Sequence, residues 1–354
     1  MQISEIKERL AALGAKPAHV ERILRAWLQA RPLDAGARRQ RAEDSLPRRV
    51  REALPELAAQ LAALAGLRTA QADEHEAQRL LVGLADGQAV ESVLLPRQGV
   101  CVSTQVGCAV GCTFCMTGKS GLLRQLGSAE IVAQVVLARA RRAVSKVVFM
   151  GMGEPAHNLD NVLEAIELLG TLGGIGHKNL VFSTVGDTRV FERLPQGAVK
   201  PALAISLHTT DAELRARLLP RAPRLSPAEL VELGESYARA TGYPIQYQWT
   251  LLEGVNDSDA EAERIAALLA GKYAMMNFIA FNRIESGTES GIDGAGFSRV
   301  STERAAALVL ALRQHGIVAC LRDSAGQAID GGCGQLRART LDGTPAVRRV
   351  LRAD

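Results

Sequence analysis

The 354 residues are 47% hydrophobic and 23% charged, the composition of a globular chain with one large domain and smaller appendages, which excludes a disordered or fibrous protein. No run approaches eighteen uncharged apolar residues and the N-terminus lacks the apolar core of a signal peptide, so a cytoplasmic protein with no membrane contact is expected. The net charge of +4 gathers at one end: residues 1–51 hold twelve Lys and Arg against six acids, a pattern that fits a polyanion contact or a solvated helical face.

Residues 1–70 carry helix periodicity (ISEIKERLAAL, HVERILRAWLQA, LPELAAQLAALAG) with breaks predicted at Pro17, Pro32, Pro47 and Pro55. From about residue 86 short apolar or β-branched runs alternate with longer helix patterns. Strands are predicted at 89–96, 100–104, 146–151, 179–184, 202–207, 245–251 and 276–281. Between them lie helices such as SAEIVAQVVLARARRA, with Ser128 as its N-cap, LDNVLEAIELLGTLG, SPAELVELGESYARAT and DAEAERIAALLAG. Alternation of this kind argues for a parallel α/β architecture. About six βα units from residue 100 suit a partial (βα)6 barrel better than a closed eight-fold one. A helix (STERAAALVLALRQHG), a short strand (IVACLR) and a Gly- and Arg-rich loop (SAGQAIDGGCGQLRART) follow. The division expected is a small helical, basic domain over 1–85, the barrel over 86–325, and a C-terminal loop and tail over 326–354.

Four of the six cysteines fall in CVSTQVGCAVGCTFC, residues 101–115. Six cysteines in a chain this long are no disulfide framework, and their clustering reads as metal or redox chemistry in a reducing compartment. Cys108, Cys112 and Cys115 form a CxxxCxxC set on a Gly-containing loop, with Cys101 standing apart upstream. A closed zinc site wants four N or S ligands, commonly as paired CxxC knuckles, and no second knuckle or suitably spaced histidine is at hand. Three ligands on a [4Fe–4S] cube leave one iron open for a small molecule, which is the preferred reading beside zinc and structural thiols. Downstream, KVVFMGMGEP runs a strand into a Gly-rich turn ending at Glu154. Glycines there let backbone groups approach a ligand, and one carboxylate beside them can take up an ammonium, although most such turns are only turns. The turn sits at a strand's C-terminal end, where α/β proteins place their ligands.

Taken together, CVSTQVGCAVGCTFCMTG, FMGMGEPAHNLDNV, VFSTVG, LAISLH, TLLEGVND and IDGGCGQL resemble one family, the radical S-adenosylmethionine (SAM) RNA adenine methyltransferases of the RlmN/Cfr group, over about residues 87–336. The resemblance implies a barrel of the radical-SAM type in which Cys108, Cys112 and Cys115 hold one [4Fe–4S] cluster. It implies a SAM site lined by Gly153, Glu154, Ser183, Ser206, Leu207, His208 and Asn282. Two SAM molecules then serve each turnover. One methylates Cys333; the other yields a 5′-deoxyadenosyl radical that activates the S-methyl group for addition to the adenine ring. Cys101 resolves the resulting protein–RNA adduct through a disulfide with Cys333, and Glu91 is the proton acceptor.

The substrate so implied is an adenosine of 23S rRNA, with tRNA as a second candidate, methylated at carbon 2 or, in the resistance-conferring branch, at carbon 8. A basic RNA-contacting N-terminal domain, an external one-electron donor such as flavodoxin and a monomeric state complete the expectation. The chain departs from the family as a divergent member: a shorter stretch between Glu91 and Cys101, Gln327-Ala328 where relatives are more acidic, and an N-terminal region poor in aromatics. Read without the resemblance, Glu91 is an edge-strand carboxylate, Ser183 and Ser206 are strand-end caps, His208 is a core histidine and Cys320 a buried small hydrophobe. Two other classes stand beside the leading one: a radical-SAM enzyme with a non-RNA substrate, and a non-catalytic RNA-binding protein stabilised by zinc or a cluster.

Overall fold

The computed structural model describes residues 1–35, 45–72, 77–119, 121–282, 291–292, 295–322 and 334–337. Three helices open the chain: α1 (Ile3–Ala12), α2 (Pro17–Leu28) and α3 (Arg48–Ala63). The break expected at Pro55 does not occur, because Pro55 lies inside α3. A proline there forfeits one helix hydrogen bond. The buried stripe Val50, Leu54, Leu57 and Leu61 runs through that position and holds the helix on one face by packing.

The strands that follow are β1 (Gly66–Ala72), β2 (Gln78–Gly83), β3 (Ala89–Leu95), β4 (Gly99–Cys101) and β5 (Gln105–Gly107), then α4 (Met116–Lys119), β6 (Leu122–Gln125), α5 (Ser128–Arg139) and β7 (Lys146–Phe149). Next come α6 (Leu159–Thr171), β8 (Leu180–Thr184), α7 (Thr188–Arg193), β9 (Ala202–Ser206), α8 (Ala212–Leu218), α9 (Pro227–Thr241), β10 (Ile245–Leu251), α10 (Asp259–Leu269) and β11 (Ala274–Ala280). The short pair β12 (Gly291–Ile292) and β13 (Ala295–Gly296), then α11 (Thr302–Gln314) and β14 (Val318–Arg322), end the described elements. Among the described residues no helix is long and apolar enough to cross a membrane.

Ten strands form one sheet in the order β1-β2-β3-β4-β7-β8-β9-β10-β11-β14. From β4 to β14 every neighbour is parallel, with helices in each crossover. This is the six-unit α/β architecture expected, with β14 at one end of the sheet. At the other end β1, β2 and β3 add antiparallel to β4. The helical character expected over 1–85 therefore stops at α3: Gly66–Ala72 and Gln78–Gly83 are two strands of the main sheet.

Strand side chains alternate between faces, and this period of two divides the sheet sharply. One face sends Leu80, Val90, Val100, Val147, Phe149, Phe182 and Ile205 into the large core under the helices. The opposite, inner face carries small or polar groups: Cys101, Val148, Val181, Ala202 and Ala204 form an apolar floor there. By the same parity Arg79, Glu91, Ser183, Ser206, Gln248, Asn277 and Cys320 point to the inner face. Cys320 is thus no core hydrophobe; it is half-buried and its thiol donates to Asn277 Oδ1 at 3.0 Å.

The N-terminal helices pack on the outside of the sheet's helical layer. The Ile3 N–H donates to Ser128 Oγ at 2.8 Å and the Ser4 N–H to Glu164 Oε1 at 2.7 Å, tying α1 to α5 and α6. Ser128 is consequently not the N-cap of α5. The cap is Gly127, whose N–H donates to Glu130 Oε2 at 2.8 Å, and the serine hydroxyl is spent on the tie to α1.

Candidate active site

The cysteine loop leaves β5 and returns through β6 as a small hairpin. Gly107 makes the hairpin possible: its φ is +84°, and a Cβ there would meet the Gly121 carbonyl oxygen at 1.8 Å. The Cys115 N–H donates to the Cys112 carbonyl at 3.1 Å, so the last two cysteines share one tight turn. Burial pushes the Cys108 thiol up to about 12, aided by the charges of Glu154 and Cys115. Cys112 is raised well above the ordinary thiol value by burial, then by the charges of Cys115 and Cys108. Thiols held up in this way, beside one another's charges, are a donor set that a cation would relieve. Among the described residues no three His, Cys, Asp or Glu side chains close on a single-ion geometry. Three cysteines on one tight loop are a donor set that could hold a cluster with one open iron.

Beside it the GMGEP turn is stitched to the chain entering the loop. The Met152 N–H donates to Ser103 Oγ at 2.9 Å, the Thr104 N–H to the Met152 carbonyl at 2.9 Å, and the Glu154 N–H to Gln105 Oε1 at 2.7 Å. The glycines serve this stitching. A Cβ on Gly151 would lie 2.7 Å from the Val102 carbonyl oxygen, and one on Gly153, at φ +104°, would lie 2.6 Å from Gln105 Cβ. The close approach expected for a ligand is thus made first by neighbouring backbone. Glu154 itself is buried and accepts the Ala156 and Val185 N–H groups, each at 3.1 Å. Burial pushes its carboxyl up to about 7, so an ammonium placed there would stabilise the ionised form.

His208 closes the far side. It adopts φ +65°, its Nδ1 accepts the Thr250 N–H at 3.0 Å, and its carbonyl accepts Asn256 Nδ2 at 2.7 Å. Its ring meets Phe114 of the cysteine loop edge-on, with centroids 4.8 Å apart. Burial holds the imidazole neutral, its pKa pushed down to about 3. Ser183 and Ser206 lie half-buried on the inner face of β8 and β9, and Asn282 follows β11. Leu207 differs: its side chain is wholly buried in the helix-side core and its N–H donates to the Gln248 carbonyl, so it does not turn a side chain to this site.

Sequence reasoning missed Arg215 on α8. It is buried, its guanidinium donates to the carbonyls of Val185 and Ser206, and its charge bears on Cys112 and Glu154. A helical arginine among others in AELRARL offers no signal of this.

A second constellation lies where β2, β3 and β4 meet. Glu91 is paired with Arg79 at 3.0 Å, both side chains 2% exposed. Cys101 is a free, buried thiol on the same face; burial pushes it up to about 12, opposed by the charge of Arg79 and reinforced by that of Glu91. Cys333 lies outside the described residues, as do Gln327 and Ala328. The residues just after Cys333 are described: Gly334 lies against Thr117, where a Cβ would meet Oγ1 at 2.7 Å. Leu336 packs on Leu81 and Ala89, and the Arg337 N–H donates to Glu91 Oε1 at 2.8 Å.

A parallel α/β sheet with a three-cysteine loop and a carboxylate at its strand ends defines the radical SAM class, and residues 102–264 match the Radical SAM superfamily. A probable RNA methyltransferase of Aromatoleum aromaticum is 70% identical over 341 residues, covering 96% of this chain and 93% of the relative. Another, from Thiobacillus denitrificans, is 66% identical over 349 residues, 99% of this chain and 94% of the relative. The crystal structure of a radical SAM methyltransferase from Sphaerobacter thermophilus superposes with a TM-score of 0.79 at 35% identity, covering 95% of this chain and 97% of that one. The chain belongs to this family of radical-SAM methyltransferases, the RlmN/Cfr-like group.

Proposed function

We propose that the protein methylates a ring carbon of adenosine in RNA, carbon 2 in 23S rRNA, with tRNA as a further substrate. The observation that carries this reading is the meeting of two constellations on one sheet face. Cys101 and Glu91 lie together on that face, and the segment that follows Cys333 docks against both Thr117 of the cysteine loop and Glu91. The near-full-length relatives carrying the name RNA methyltransferase support the substrate class.

Cys108, Cys112 and Cys115 would hold the [4Fe–4S] cluster. When bound and reduced by an external one-electron donor, that cluster would supply the electron that cleaves SAM to methionine and a 5′-deoxyadenosyl radical. Glu154 would accept the SAM ammonium, with Gly153, Ser183, Ser206, the Leu207 main chain, His208 and Asn282 around it. Cys333 would carry the methyl group to the adenine and stay linked to it. Glu91 would take the ring proton on a carboxylate oxygen, and Cys101 would attack the Cys333 sulfur to free the RNA. The basic N-terminal helices would meet RNA phosphates; Arg22, Arg25 and Arg31 line one surface cavity on that side.

The test is anaerobic reconstitution with SAM, reductant and an in-vitro 23S rRNA transcript, followed by nucleoside mass spectrometry. 2-Methyladenosine is the expected product. 8-Methyladenosine would move the protein to the other branch, and 5′-deoxyadenosine without modified RNA would point to a non-RNA substrate.

A further inference from the structure

The reaction as proposed leaves Arg79 without a role, although Arg79 is among the most deeply buried charges of the chain. Its Nη1 lies 3.0 Å from Glu91 Oε2. The other carboxylate oxygen, Oε1, accepts the Arg337 N–H at 2.8 Å across 246 residues of sequence. The Glu91 main chain is fixed as well, its carbonyl accepting the Ser103 hydroxyl at 2.5 Å.

A glutamate's terminal torsion is broad and two-fold when nothing constrains it. Donors from two different elements, one on each oxygen, remove that freedom. Stability alone gives no reason for the pair, since well-packed apolar residues replace buried ion pairs at little or no cost. The neighbours Leu81, Ala89 and Val93 show that this face accommodates apolar side chains.

We propose that Arg79 is the positioning residue for Glu91: with the Arg337 main-chain N–H it holds the carboxylate oriented at the seat of the segment that follows Cys333. The proposal rests on the reading of Glu91 as proton acceptor. Arg79 touches neither RNA nor SAM; it acts through Glu91. Its charge also reaches Cys101, where it favours the thiolate that the release step needs.

The two readings separate in single-turnover experiments on the full, reconstituted protein with a 23S rRNA transcript. Cys101→Ala comes first: failure to trap Cys333-linked RNA overturns the proposed function, whatever Arg79 does. Given that adduct, Arg79→Met should form 5′-deoxyadenosine at the wild-type rate while RNA release slows about 10²-fold, the same stall as Glu91→Gln. Equal slowing of both steps, or of neither, would overturn the positioning role. If Arg79→Met does not fold, Arg79→Lys decides, because an ammonium keeps the charge and loses the planar fork. Release slowed about tenfold with deoxyadenosine formation intact supports the proposal. Wild-type release in Arg79→Lys overturns it.

Discussion

Cys101 and Cys108 stand seven positions apart, both are buried, and both thiols are pushed up to about 12. Neither burial nor acidity tells them apart. Their backbones do: Cys101 is the last residue of β4, locked in register with Val93 and Val148, while Cys108 opens a loop that two positive-φ glycines allow to fold back. Their neighbours differ accordingly. Cys101 feels Arg79 and Glu91, a fixed ion pair; Cys108 and Cys112 feel Cys115 and Glu154. The contrast supports the proposed division, in which Cys108 would serve as a ligand and Cys101 as a reagent.

The largest expected effect tests that division directly. Cys112→Ala should lose the reconstituted cluster and all SAM cleavage, while Cys101→Ala should keep full iron and sulfide content and still yield 5′-deoxyadenosine. Equal iron loss in both would erase the distinction. Next, Arg79→Met removes one partner of the buried Arg79–Glu91 pair, which should cost about 3–5 kcal/mol in urea denaturation of the metal-free protein.

Glu154 sharpens the ligand side. Its carboxyl is pushed up to about 7 by burial, from an ordinary value near 4.5, so the folded state prefers the protonated form. The stability this gives is present below about pH 4.5 and is lost as pH rises through 7, amounting to about 3 kcal/mol by pH 8. Glu154→Gln in the metal-free protein should flatten that slope; an unchanged pH profile would mean that Glu154 is not the group responsible. Cys101→Ala, which removes one small group from an apolar floor, should cost only about 1 kcal/mol, far less than its effect on turnover. The smallest effect lies outside both sites. Arg25→Gln, at an exposed position of α2, should leave stability within about 0.5 kcal/mol and lower the salt slope of RNA binding by less than about one.

The alternation of strands and helices from residue 100 onward was readable because each parallel strand is a short apolar run between turn signals. β1 was not, since GLRTAQA is exposed along nearly its whole length and shows no alternation. The three loop cysteines, Glu154 and His208 were legible as chemistry-bearing residues at strand ends. Arg79 could have been read: one charge inside the apolar run QRLLVG asks for a buried partner. Arg215 could not, because nothing local distinguishes it from the exposed Arg217 of its helix. The tie from Glu91 to Arg337 is likewise absent from any local pattern, because tertiary packing alone brings such distant residues together.

That tie orders events in time as well as in space. Domains form as the chain emerges from the ribosome, N-terminal parts first. The sheet from β1 to β11 can therefore assemble, and its cysteine loop stand ready, before Arg337 has been synthesised. Glu91 meets its second anchor only near the end of translation. During that interval the face beside Glu91 still lacks residues 334–337, and the proposed cluster loop would stand open to an iron–sulfur donor.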